Sequence, residues 1–312
     1  MSFEIQSDQE VDSIRVEAFL DQCEGYDDFG TTRYRVNEDA YDTLFVVKDG
    51  KVVGEADKLT HEDSVTLAGC YIDPGYRGEL RKNGKSAFEL LAEERTDNYK
   101  SAKTDATTDH GKTQHVYDKL DFSPYSLNPS QHPTNDSTIT MISGHDELGE
   151  VYVPEAARDF TDRLAKENNF GIEYAEGFYS GADVVDVGSP SSSSAKYSIG
   201  KVEPGDQELI EALEAIDGVI RDESRFDETR LNMNNPSTQE VGQVLMQQGF
   251  NVSGLSPGVG DRDPYLHLAD LNFEPEMELT PEVNRFLDST GLNNKLLQEG
   301  KKSHSVTVKN NA

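Results

Sequence analysis

Residues 116–129, VYDKLDFSPYSLNP, and residues 244–257, VLMQQGFNVSGLSP, align without a gap at Val, Phe, Leu and Pro. Each stretch reads as the end of a helix, a turn and a strand. Self-similarity of this kind marks a supersecondary plan used more than once. It constrains the 312 residues more than any other feature. Two copies of one domain are expected, and the length agrees with two domains of ordinary size.

The element order supports this reading. In the first half SFEIQ is a short strand, and SDQEVDSIRVEAFLDQC is a helix with Ser7 and Glu10 at capping-box spacing. TLFVVKDGKVVGEA is a hairpin turning at Asp49-Gly50. DSVTLAGCYID is apolar on both faces and so reads as a central strand. A glycine-containing turn and a helix through Glu94 follow, then the strand KSAKTDAT, the short helix GKTQHVYDKL, and the strands DFSPYSL and STITMIS.

The polar stretch SGHDELGE (143–150) is the expected domain boundary. Beyond it VPEAARDFTDRLAKENN is a helix, and DVGSPSSSS is a low-complexity loop. The strand SAKYSIGKV, the helix GDQELIEALEAIDGVI, the strand ETRLNMN, the helix STQEVGQVLMQQ and the strands GFNVSGLSP and PYLHLADL then repeat the earlier order. TPEVNRFLDSTG is a closing helix, with Thr280 as its cap and Pro281 in its first turn. The expected domains are 1–147 and 148–300, with 301–312 a flexible tail.

Composition excludes several function classes. With 59 acidic against 29 basic residues, the net charge is −30. The acids are spread along the chain, so the surface repels nucleic acid and anionic membranes. Adaptation to concentrated salt, which screens such repulsion, is the plain explanation. Capture of a basic partner is the functional one. Cys23 and Cys70 are the only cysteines, too few for a disulfide framework. MSFEIQSDQE has neither the basic region nor the apolar core of a signal peptide, and no run reaches the length of a membrane span. The expectation is a soluble cytoplasmic protein.

Against this background one basic cluster stands out. In YRGELRKNGKSAFELL, residues 76–91, Arg77, Arg81, Lys82 and Lys85 crowd around Gly78 and Gly84 between the central strand and a helix. The first amides of a helix lack internal acceptors and carry partial positive charge, so phosphates bind there. A pyrophosphate is the natural guest, with Asn83, Gly84, Lys85 and Ser86 at the close approach. A solvated helix start that offsets nearby acids is the plain alternative. Neither G-x-x-x-x-G-K-[ST] nor G-x-G-x-x-G occurs here, so a P-loop and a dinucleotide fold have no support. There is no H-E-x-x-H, and His110 and His115 are not at helix-face spacing, so no metal is expected.

YIDPGYRG, RKNGKSAFELL and ATTDHGKTQHVYDKLDF together resemble the GCN5-related N-acetyltransferase (GNAT) superfamily over about residues 3–143. Arg81, Gly84 and Ser86 fill that family's [RQ]-x-x-G-x-[GA] motif. His110, Thr113, Tyr117, Lys119, Leu120, Asp121 and Phe122 stand at its N-x-x-A-x-x-x-Y-x-K-L-G-F positions, and Thr108, His110, Thr113 and Gln114 match a variant, T-x-H-x-x-[ST]-Q. Glu79 and Leu80 separate YRG from RKNGKS where the family runs straight on, and Asp121 replaces the usual glycine.

The resemblance implies an α/β fold: tandem domains, each a mixed, centrally splayed sheet flanked by helices. It implies acetyl-CoA as co-substrate. Cys70, Tyr71 and Ile72 would meet the pantetheine arm, Arg77 and residues 81–86 the pyrophosphate, and His110 would be a further contact. Tyr117 would be the general acid; a core tyrosine is its plain reading. Glu62 and Asp63, ahead of the central strand, are candidate bases. The acceptor is an amine of a small molecule or peptide, and a homodimer is compatible. The second half has Leu245 where the first has Tyr117, and an acidic turn, VEPGDQE, ahead of its first long helix, so it reads as a degenerate copy. A non-catalytic GNAT-like interaction or structural protein is the rival.

Overall fold

The computed structural model describes residues 3–23, 41–108, 111–128, 137–145, 147–176, 184–188, 194–198, 228–247, 249–258, 263–269, 271, 277 and 279–293. The chain forms two compact units. The first is Met1–Asp105 with Lys119–Asp121, and the second is Ala106–Asp118 with Phe122–Ala312.

Unit 1 holds β1 (Glu4–Ser7), α1 (Ser13–Cys23), β2 (Asp42–Lys48), β3 (Lys51–Thr60), β4 (Ser64–Ile72), β5 (Arg81–Lys82), β6 (Lys85–Ser86), α2 (Ala87–Thr96) and most of β7 (Ser101–Thr107). Its main sheet runs β1-β2-β3-β4-β7. The pairs are antiparallel except β4 with β7, which is parallel. A parallel neighbour requires a crossover, and α2 supplies it. Asp49 and Gly50 both take positive φ, 50° and 79°, which closes the β2–β3 hairpin as the Asp-Gly pair predicts.

Side-chain alternation divides the core of unit 1 between two faces. Phe45, Val47, Val52 and Tyr71 pack with Phe19, Leu20 and Cys23 of α1. Val46, Val53 and Ile72 pack with Leu80 and with Ala87 and Leu91 of α2. Helix α1 begins at Ser13, later than the sequence suggests. Ser7 and Glu10 do bond, at 2.9 and 3.1 Å, but they close an isolated turn, and Asp12 accepts from Arg15 at the helix start. Arg95 is fully buried near the end of α2 and donates to the carbonyls of Leu91, Asp57 and Gly69.

Unit 2 holds α3 (Lys112–Asp118), β8 (Ser123–Asn128), β9 (Thr138–Ser143), β10 (Glu150–Val151), α4 (Glu155–Glu167), β11 (Glu173–Tyr174), β12 (Val184–Gly188), β13 (Ser194–Ser198), β14 (Glu228–Asn232), α5 (Ser237–Gln247), β15 (Asn251–Ser256), β16 (Tyr265–Ala269) and α6 (Pro281–Thr290). Its main sheet runs β9-β8-β15-β16-β14, antiparallel throughout. Helix α4 packs on β15 and α6, and α6 packs on β8. Thr280 caps α6 with Pro281 in its first turn, and Gly291 ends it at φ 80°, as the sequence predicts.

The units do not divide at 147. Strands β8 and β9 belong with unit 2 because β8 pairs with β15, at Ser126↔Gly254. These two residues hold the same place in the two matched sequence stretches. The two matched stretches thus meet antiparallel at an equivalent residue. On one side of this seam Ser126 bonds Asn128, which donates to Thr138 and Thr140; on the other Ser256 bonds His267 at 2.8 Å.

The expected helix at 205–220, the acidic turn VEPGDQE and the tail at 301–312 lie outside the described residues. No described helix is long and apolar enough to cross a membrane.

Candidate functional site

Strand β4 is paired along one edge and only partly along the other. Its register with β3 extends to Gly54↔Ile72. Its register with β7 stops at Leu67↔Thr104, although β4 continues to Ile72. Past Leu67 strand β4 therefore runs on without β7 in register beside it. Asp73 N–H donates to Val53 O, so the Ile72 carbonyl, on the other side of that peptide, points to the open edge. Alternation gives Cys70 the same orientation.

Beyond the strand the chain makes a 3₁₀ turn, Pro74–Tyr76, fixed by Asp73. One oxygen of the Asp73 carboxylate accepts from Gly75 N–H at 2.8 Å, and the other accepts from Gln22 of α1 at 2.5 Å. The turn brings Arg77 back to the strand end. Its Nε donates to Ile72 O at 2.7 Å, and its guanidinium lies 5.2 Å from the Tyr71 ring centre.

Residues 81–86 form a small hairpin. Arg81 pairs with Ser86 and Lys82 with Lys85. Asn83 and Gly84 turn it at φ 54° and 84°, the two left-handed positions of a type I′ turn. Glu79 and the buried Leu80 lead from the turn into this hairpin, and Gly84 serves its tip, where an added Cβ would meet nothing within 4 Å. Arg81, Lys82 and Lys85 are exposed, and Lys85 is paired with Glu93 at 2.5 Å.

The start of α2 is not open in the way the sequence suggests. Ser86 and Glu89 form a complete capping box. Glu89 accepts from Ser86 N–H at 2.6 Å, Glu89 N–H donates to the Ser86 hydroxyl, and Ala87 N–H donates to Leu80 O. A carboxylate of the chain itself stands where the pyrophosphate was expected to meet these amides. Lys119 holds it at 2.7 Å. That bond, with the Ser86 amide, draws the Glu89 pKa down to about 2. The pattern S-x-x-E was the available signal for this contact; Lys119 was legible only as a motif position.

Glu62 and Asp63 lie at the other end of β4. Asp63 is ion-paired with Lys100, and its carbonyl accepts from Lys100 N–H. The length of the nine-residue strand, ~30 Å at its usual rise, separates them from the turn. The structure does not bring these acids to the strand edge.

Tyr117 belongs to unit 2. It is 3% exposed, and its ring packs 5.0 Å from that of Phe122. Gln114, one turn earlier on α3, accepts from Thr280 N–H at 3.0 Å. His110 lies outside the described residues. Among those residues, no group of three or more His, Cys, Asp or Glu is placed to hold a metal ion.

Asp118, at the end of α3, is half-buried beside the first turn of α6. Burial is the main cause that pushes its pKa up to about 6; the Glu282 carboxylate adds to this, and a contact with Thr280 opposes it. A carboxyl raised in the folded state favours folding when protonated. Its penalty appears as pH rises past ~4 and is complete above about 6. Asp118→Asn is therefore expected to raise the melting temperature at pH 7.5. The gain corresponds to ~1 kcal/mol once solvent screening is allowed for, and it should vanish at pH 4. A melting series over that range checks this.

No family model matches the chain, and neither does any curated protein. Solved structures do show likeness. The ribosomal-protein-S18-alanine N-acetyltransferase of Escherichia coli is 18% identical, covers 48% of this chain and 97% of its own, and has a TM-score of 0.38. An acetyltransferase of the GNAT family from Streptococcus pneumoniae is 16% identical over 46% of this chain and 99% of its own, at 0.35. The Campylobacter jejuni N-acetyltransferase PseH, solved with acetyl coenzyme A, is 14% identical over 46% and 100%, at 0.32.

Proposed function

We propose that the chain is an N-acyltransferase that moves an acetyl group from acetyl-CoA to an amine of a small molecule or peptide. The observation that carries this reading is the parting of β4 from β7 after Leu67↔Thr104. Strand β4 runs on beyond that point to Ile72 without β7 in register, and an extended strand suits a narrow, amide-bearing arm such as pantetheine. The basic hairpin follows directly in the chain. In a protein of net charge −30, Arg81 and Lys82 supply the local attraction that a pyrophosphate needs. Because the Ser86, Ala87 and Glu89 amides are already taken by Glu89, Leu80 and Ser86, the pyrophosphate is held by hairpin side chains.

The chemistry is acyl transfer. The neutral amine attacks the thioester carbonyl, the C–N bond forms, and the C–S bond breaks. The amine nitrogen gives up a proton, and the departing thiolate takes one. The sequence resemblance assigns that second proton to the Tyr117 phenol. Glu62 and Asp63, just ahead of β4, are the proposed bases for the amine proton. Tyr117→Phe is expected to lower kcat by about 10²-fold with little change in KM for acetyl-CoA. Unchanged turnover would remove Tyr117 from the chemistry.

A second reading, a non-catalytic GNAT-like module, is favoured by one observation: Glu89 already fills the start of α2. The repeated sequence, with Leu245 in place of Tyr117, supports a tandem arrangement whose second copy packs or captures substrate. A thiol-release assay with acetyl-CoA and a panel of amines and basic peptides separates the two readings. Amine-dependent release is expected from the transferase. Coenzyme binding without release for any acceptor favours the non-catalytic module.

A further inference from the structure

The β4 edge that defines the proposed coenzyme site is not vacant main chain. Asp73 N–H is committed to Val53 O, so Ile72 O faces the open side, and the Arg77 side chain already takes it at 2.7 Å. We propose that Arg77 is a latch on this edge: it stands in for the amide donor of an incoming pantetheine arm, and the arm must displace it to bind. This rests on the acyl-CoA reading above and adds a determinant of affinity to it.

Three features make the contact more than a passing surface bond. The 3₁₀ turn is pinned through both oxygens of Asp73, one of them to Gln22 of α1, so the distance from Ile72 to Arg77 along the chain is set by fixed geometry. Arg77 N–H bonds Pro74 O, which directs its side chain back to the strand. The guanidinium also stacks near Tyr71, so Nε is held against the carbonyl from two directions. A charged donor on a main-chain acceptor is a stronger competitor than water.

The latch reverses the effect expected of a motif arginine. An arginine that binds pyrophosphate strengthens coenzyme binding, and its loss weakens it. A latch weakens binding, and its loss strengthens it. S-acetylpantetheine separates these roles because it carries the amide arm and no phosphate. Calorimetry on the full chain would compare the native protein with Arg77→Ala and Arg77→Lys, using S-acetylpantetheine and acetyl-CoA. Arg77 is exposed, so both variants are expected to fold, and a melting curve verifies this.

The expected result is S-acetylpantetheine binding about three- to tenfold tighter in Arg77→Ala, the size of one competing hydrogen bond. Arg77→Lys, whose ammonium does not reproduce the Nε geometry, should gain part of this. Equal or weaker S-acetylpantetheine binding in Arg77→Ala, with acetyl-CoA still bound by the native chain, would overturn the latch and leave the acyl-CoA reading standing. Binding of neither ligand to any of the three proteins would overturn both.

Discussion

Gly254→Ala is expected to leave the chain largely unfolded at temperatures where the native protein is stable. A Cβ at 254 would sit 2.0 Å from Ser126 Cβ, 2.2 Å from Ser126 Cα and 2.5 Å from Tyr125 O. Two of these three atoms are main chain, so no side-chain rotation relieves the overlap. Strand β8 or β15 has to move, and each is joined to a further antiparallel partner, β9 or β16. Overpacking a core costs ~1–3 kcal/mol where side chains can yield. With backbone in the way, a loss of about 3 kcal/mol or more is expected, a large part of the stability of an ordinary domain. Denaturant unfolding in concentrated salt measures it. Ser126→Gly in the same chain should recover little, because Ser126 Cα and Tyr125 O remain. Full recovery would show that the seam is held apart only by the serine side chain.

The second large effect concerns the hairpin. Arg81→Glu with Lys82→Glu is expected to weaken acetyl-CoA binding by about 100-fold, or ~2.7 kcal/mol, while the melting temperature of the free protein moves little. Both side chains are exposed, and neither forms an ion pair among the described residues, so the fold does not depend on them. In 1 M salt the screening length is ~3 Å, so remote acids contribute little and the loss reports direct contacts. The same double variant should bind S-acetylpantetheine as the native chain does. Unchanged acetyl-CoA affinity would place the pyrophosphate elsewhere.

Local signals in the sequence carried much of the architecture. The Asp49-Gly50 hairpin, the central strand at 64–72, the short helix bearing Tyr117 and the caps of α6 each follow from a few neighbouring residues, and each forms. The hairpin at 81–86 was missed because its strands are two residues long and carry no apolar alternation, so only Asn83-Gly84 announced it. The Ser86–Glu89 box was legible as a pattern, but its consequence was not. Whether a helix start is open depends on which acceptor occupies it, and here Lys119, distant in sequence, helps to hold Glu89 in place. The boundary near 147 followed a change of composition. The units follow strand pairing instead, and the β8–β15 pairing joins residues far apart in the chain. The matched stretches held the clue, since they align the two residues that meet.

Titration calorimetry of the full chain with acetyl-CoA tests the central claim most directly. One site of micromolar affinity is expected, with acetyl-CoA displaced by S-acetylpantetheine and lost in the Arg81→Glu, Lys82→Glu double variant. No heat at millimolar acetyl-CoA from a protein that melts cooperatively would contradict the claim and leave the fold put to another use.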